Sequence, residues 1–106
     1  MGYSNPGQKE DKVVKVIFFY DAPEEKQKAY LEVTAQKIKP FWESNGCDSY
    51  NVWKVDGSQT AFVKEMIFKD EPTMKRSLSL ETAEPIKELF HGFVKNISRK
   101  ICTQKI

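Results

Sequence analysis

The side chains able to do chemistry in this chain are few, and most are aromatic. Tyr20, Trp42, Tyr50, Trp53 and Phe90 offer flat apolar faces, and the tyrosines and tryptophans add polar tips. Flat walls with a few placed donors suit a planar organic molecule. Asn51 stands between Tyr50 and Trp53 in sequence order, so amide, phenol and indole donors cluster in one short stretch. His91 is the only histidine and follows Phe90 directly. Asp48 and Glu65 are carboxylates that could accept a proton or simply stand in solvent. The same aromatics, together with Tyr30, Phe41, Phe62, Phe68 and Phe93, could equally fill a core.

Other chemistries find no foothold. No GxGxxG, P-loop, HExxH or GxSxG pattern occurs. Gly46 and Gly57 sit where a helix stop and a turn need them. The cysteines, Cys47 and Cys102, form no CxxC and match no zinc spacing. They read as two reduced, buried thiols, with a disulfide as the alternative. No metal site and no cofactor is expected.

The totals bound the class. The chain has 106 residues, 17 basic and 15 acidic, for a formal charge of +2. That length suits one domain with one core. The balance of charge argues against a nucleic-acid or membrane surface. No stretch approaches the roughly 20 apolar residues of a membrane span. The start, "MGYSNPGQKEDK", is too polar for the core of a signal peptide. The expected protein is cytoplasmic, with residues 1–11 a flexible arm and residues 12–106 the domain.

Elements that could position these side chains follow from periodicity. Residues 12–21 read as a strand. "DAPEE" then stops it and starts a helix: Asp21 is a candidate cap, Pro23 suits a first turn, and Glu24 and Glu25 oppose the helix dipole. Leu31, Ala35, Ile38 and Trp42 recur on one helical face, so the helix runs from about Pro23 to Ser44, disturbed at Pro40. "VDGSQ" separates two apolar runs, which predicts a hairpin of strands over about 48–55 and 60–69. "TMKRSLSLETAEPIKELFHGFVKN" reads as a second helical stretch in two pieces. Met74 and Leu78 mark the first piece; Ile86, Leu89, Phe90, Phe93, Val94 and Ile97 mark the second. Pro85 suits the start of that second piece, with Thr82 its cap. "ISRKICTQKI" is the last strand, and the basic cluster Lys95, Arg99 and Lys100 reads as a solvated edge.

The order β-α-β-β-α-β is the ferredoxin-like α+β motif, an antiparallel sheet with helices on one face. Its first strand is apolar on both sides: Val14, Val16, Phe18 and Tyr20 on one, Val13, Ile17 and Phe19 on the other. The hairpin's second strand carries Ala61, Val63 and Ile67 opposite Phe62, Met66 and Phe68. Two helices cover only one face. The economical cover for the other is a second copy of the chain, packed sheet to sheet as a homodimer; a long arm or a different protein is the alternative.

With the two-sided "VVKVIFFY", the "APEE" helix start and the "DGSQTAFVKEMIF" hairpin, the chain resembles the dimeric α/β-barrel superfamily. Within that superfamily it looks most similar to the antibiotic biosynthesis monooxygenase group. The resemblance implies a pocket between sheet and helices, lined by Tyr20, Trp42, Tyr50 and Phe90, with Asn51, Trp53 and His91 as further candidates. It implies binding of an apolar or aromatic small molecule, with cofactor-free monooxygenation as the activity. That chemistry needs a substrate able to become a carbanion and donors that stabilise it, for which Asn51, Tyr50 and Trp53 are available. Two alternatives stay open: a non-enzymatic ligand-binding or stress-related module, and a haem-binding member using His91. The family's haem degraders pair such a histidine with an asparagine on the first strand and a nearby tryptophan. Here only His91 matches, because "VVKVIFFYDA" contains no asparagine.

Overall fold

Strand β1, Val14–Asp21, is apolar on both sides and takes an interior position in the sheet. Strands β2 (Ser49–Lys54), β3 (Ala61–Phe68) and β4 (Lys95–Thr103) complete it in the order β2-β3-β1-β4, every neighbour antiparallel. The computed structural model describes residues 12–106, so the arm expected over residues 1–11 lies outside the described residues. The architecture is the ferredoxin-like α+β fold, with its helices layered on one sheet face.

The first helical stretch is Glu24–Val33 (α1), a π-helical turn over Thr34–Ile38, and Lys39–Glu43 (α2). Proline has no N–H to donate, and its ring crowds the carbonyl four residues earlier. The wider turn lies immediately before Pro40, where Lys39 donates to the Thr34 carbonyl five residues back. The disturbance expected at Pro40 is therefore a π-bulge that leaves the helix continuous. Tyr30, Thr34, Ile38 and Trp42 are buried against the sheet, whereas Leu31 and Ala35, expected on the same stripe, are exposed, because the extra residue of the wider turn shifts the helical phase. Gly46, at φ +108°, then turns the chain towards β2. A Cβ there would stand 3.3 Å from Thr73 Cγ2, so both its conformation and its neighbour favour glycine.

The second stretch is Glu71–Leu78 (α3), a 3₁₀ turn at Glu81–Ala83, and Glu84–His91 (α4). Several boundaries differ from the sequence expectation. The cap of α3 is Asp70, whose carboxylate accepts from the Thr73 N–H at 2.8 Å. Asp21 caps no helix: its oxygens accept from Thr60 Oγ1 and Asn96 Nδ2, both at 2.9 Å, tying the hairpin loop to the start of β4. Thr82 lies within the 3₁₀ turn and makes no cap, the residue before α4 being Ala83. Helix α4 stops at His91, so Phe93 and Val94 lie in the connection and Ile97 belongs to β4. The apolar spacing ran on past Gly92 because connection and strand residues also pack on the core, and periodicity alone cannot separate them.

The helix-facing side of the sheet carries Val14, Val16, Phe18 and Tyr20 of β1 opposite Phe68, Met66, Lys64 and Phe62 of β3. Tyr50 of β2 joins them. β4 is an edge strand, and Ile101 on it remains 48% exposed. Cys102 is consequently exposed rather than buried, while Cys47 is buried; both thiols are free. At the opposite edge, Glu43 accepts from the Tyr50 N–H at 3.0 Å and Lys39 donates to the Tyr50 carbonyl at 2.6 Å. That pair satisfies outward backbone groups which an edge strand would otherwise present to another chain. Among the described residues no helix is long and apolar enough to cross a membrane.

Candidate functional site

A cavity of about 240 Å³ opens between β1, β3, β4 and the helix layer. Its walls are Phe18 and Phe90, with Trp42 from α2, Met66 from β3, and Leu78 and Ile86 from the second helical stretch. The polar side chains on it are Lys64, Lys87, His91 and Arg99, all basic.

Lys64 was not singled out by sequence reasoning. It lies at the middle of the "FVKEMIF" run, where one lysine between apolar residues reads as a solvated position. The register gives the missing signal: Lys64 shares its side of the strand with Phe62, Met66 and Phe68, so it points under the helices. It is 4% exposed. Its ammonium lies 3.5 Å from the Phe90 ring centre, 4.3 Å from that of Phe18 and 5.3 Å from that of Tyr50. Among the described residues it has no hydrogen-bond or ion-pair partner. Burial lowers its pKa to about 7. The aromatic faces compensate part of the lost hydration through cation–π attraction.

The residues expected to share a pocket are divided between the two sheet faces. Trp42, Phe90 and His91 line the cavity, with His91 exposed at its rim and its ring against Phe90. Tyr50 lies beneath Lys64, and its hydroxyl is buried with no partner among the described residues. Tyr20 lies two residues along β1 from Phe18, on the same face, and does not line the cavity. It shares a hydroxyl–hydroxyl hydrogen bond with Tyr30, and its ring stacks on Phe62 and meets Phe90 edge-on. Burial raises the pKa of all three tyrosines, Tyr30 to about 12, so they stay neutral phenols. Asn51 and Trp53 are on the other face: their register partners are Glu65 and Val63, which alternate away from the helices. Trp53 is 57% exposed and donates to Glu65 Oε1 at 3.2 Å. Glu65 also pairs with Lys15 at 3.1 Å, which commits that carboxylate to the open face. Asp48 is exposed at the start of β2.

Among the described residues, no group of three or more His, Cys, Asp and Glu side chains is placed to hold a metal ion. A haem fits poorly. His91 is at the rim with no β1 asparagine to accompany it, and a cavity of about 240 Å³ falls below the range of ~300–1,000 Å³ usual for cofactor and drug-sized sites.

No family model matches the sequence, and no curated protein matches it. Solved structures do match its fold. SnoaB of Streptomyces nogalater, a cofactor-independent oxygenase, superposes with a TM-score of 0.78 at 11% identity, over 90% of this chain and 95% of that one. A candidate antibiotic biosynthesis monooxygenase from Nitrosomonas europaea gives 0.73 at 11% identity, over 90% and 92%. A Bacillus halodurans protein of the EthD family gives 0.70 at 21% identity, over 88% and 99%. The fold expected from the resemblance is the fold found. At these identities the likeness concerns architecture, and a shared fold does not transfer an activity.

Proposed function

We propose that the protein binds a flat, apolar or aromatic small molecule in the cavity between the sheet and the helix layer, with cofactor-free monooxygenation as its reaction. The observation that carries this reading is the cavity itself: Trp42, Phe18 and Phe90 form aromatic walls around a single buried polar group, Lys64. The architecture shared with a cofactor-independent oxygenase supports it further. In such a reaction an activated CH₂ of the ligand loses a proton, and the carbanion gives electrons to O₂. One oxygen atom stays as a carbonyl and the other leaves as water. The protein supplies an apolar enclosure and positive charge near the developing anion. The non-enzymatic reading uses the same cavity without the oxygen step.

A second copy across the open sheet face belongs to the same proposal. Ile17, Val63 and Ile67 are only partly covered there, Phe19 is 41% exposed, and Trp53 adds an aromatic surface. The near-balanced charge fits a small-molecule protein of the cytoplasm with no nucleic-acid or membrane partner.

A thermal-shift screen of flat aromatic compounds, haem and flavin included, tests the binding. Hits should quench tryptophan fluorescence in Trp53→Phe and lose that quenching in Trp42→Phe. Oxygen uptake with an anthrone-type phenol, in protein stripped of metal and flavin, separates the enzyme from a binding module. A screen without hits overturns the reading. A Soret band on adding haem, lost in His91→Ala, would replace it with the haem reading.

A further inference from the structure

We infer that the cavity's ligand carries an oxyanion on its flat apolar body, and that the Lys64 ammonium is the group that receives it. The inference rests on the ligand-binding reading above and deepens it.

Three observations converge. First, Lys64 has three N–H donors and, among the described residues, no acceptor for any of them, although it is 4% exposed. A buried ammonium without a counter-charge is costly, and a methionine of similar length would fill the same space without that cost. Second, the aromatic rings of Phe90, Phe18 and Tyr50 surround Nζ, compensating its charge only in part and leaving it beside the cavity. Third, no carboxylate lines the cavity, whereas Arg99 from β4 and Lys87 and His91 from α4 do. Lys87 is partly occupied by the Leu78 carbonyl at 2.7 Å and Glu84 at 3.2 Å. The field inside therefore favours an anion, and Lys64 is the cation at its inner end. A carboxylate, phenolate or enolate supplies what Lys64 lacks. Against an enolate or phenolate, the same ammonium would also favour ionisation of the bound ligand.

The titratable groups facing Lys64 are Tyr50 and Cys47, both held neutral by burial, and the basic Lys87, His91 and Arg99. β1 contributes only Phe18 to the cavity. Binding of an anion should therefore draw a proton onto Lys64, and affinity should fall as pH rises above about 7.

The test is calorimetric titration with 2-naphthoate and its neutral isostere 2-naphthamide. The proteins are wild type, Lys64→Met, Arg99→Gln and His91→Gln. The inference expects wild type to prefer the acid by at least about tenfold, and to lose roughly tenfold for each pH unit above the Lys64 pKa. Lys64→Met should lose both the preference and the pH slope, while Arg99→Gln and His91→Gln, each removing one flanking basic group, should lower the preference only in part and keep the pH slope. Equal affinity for acid and amide overturns the inference and leaves the cavity reading standing. A preference that survives in Lys64→Met also overturns it. Binding of other flat compounds but of neither probe does the same. If no flat compound binds at all, the cavity reading falls as well.

Discussion

The two faces of the sheet each carry a lysine among apolar side chains, and the two are treated differently. On the open face, Lys15 of β1 reaches Glu65 of β3 at 3.1 Å, and both side chains keep contact with water. On the covered face, Lys64, one residue earlier in the same strand as Glu65, has rings in place of a carboxylate. An exposed pair contributes little and tolerates loss. A buried unpaired cation costs stability and persists only where something compensates it. Burial therefore matters more than residue type: the open face solves its charge internally, whereas the covered face leaves one charge without an ionic partner among the described residues.

Trp42→Ala and Trp53→Ala should separate the faces most strongly. Trp42 is 3% exposed, and its removal should cost about 3–5 kcal/mol in urea unfolding. Trp53 should cost no more than about 0.5 kcal/mol in dilute protein, where any dimer is dissociated. A similar loss for both would mean that the open face is already part of a core.

Next in size is Ile17→Asp. If a second copy covers the open face, the new carboxylate lies buried and unpaired, at a cost of several kcal/mol to association. Sedimentation should then shift from dimer to a 12.3 kDa monomer with its helix content intact. A wild-type protein that is already monomeric at micromolar concentration contradicts the dimer.

Lys64→Met should raise stability at neutral pH by about 1–3 kcal/mol, since it removes a buried charge whose cost the rings only partly offset. The folded-state pKa of Lys64 is depressed to about 7, below that of an unfolded lysine. The destabilisation by its charge is thus fully present below about pH 7 and fades as pH rises towards about 10. The gap between variant and wild type should narrow over that window. A Lys64→Met protein less stable than wild type at every pH would mean that the cation–π contacts outweigh desolvation. A small effect is expected for Glu65→Gln, at most about 1 kcal/mol, and weaker still at high salt.

The element order and the two-sided character of β1 were legible because both rest on alternation over long apolar runs. Where the last helix ended was not, because Phe93, Val94 and Ile97 continue a helical spacing from residues that pack on the core outside it. Asp21 looked like a cap because Pro23 and two glutamates follow it. The competing acceptor role towards Thr60 and Asn96 involves residues 39 and 75 positions away, which local reading does not reach. Of the candidate site, Trp42, Phe90 and His91 were legible from helical spacing and residue type. Asn51 and Trp53 were drawn in by their nearness to Tyr50, although alternation sends every second side chain of a strand to the other face. Lys64 escaped notice for the converse reason: a charged type suggested water, while its parity with Phe62 and Met66 sent it inward.

The most direct measurement is an NMR titration of the isotope-labelled lysine side chains. One lysine should titrate near pH 7, well apart from the rest, and its resonance should vanish in Lys64→Met. If every lysine instead titrates near its ordinary value of about 10.4, Lys64 is hydrated or paired in solution, and the contrast between the two faces does not hold.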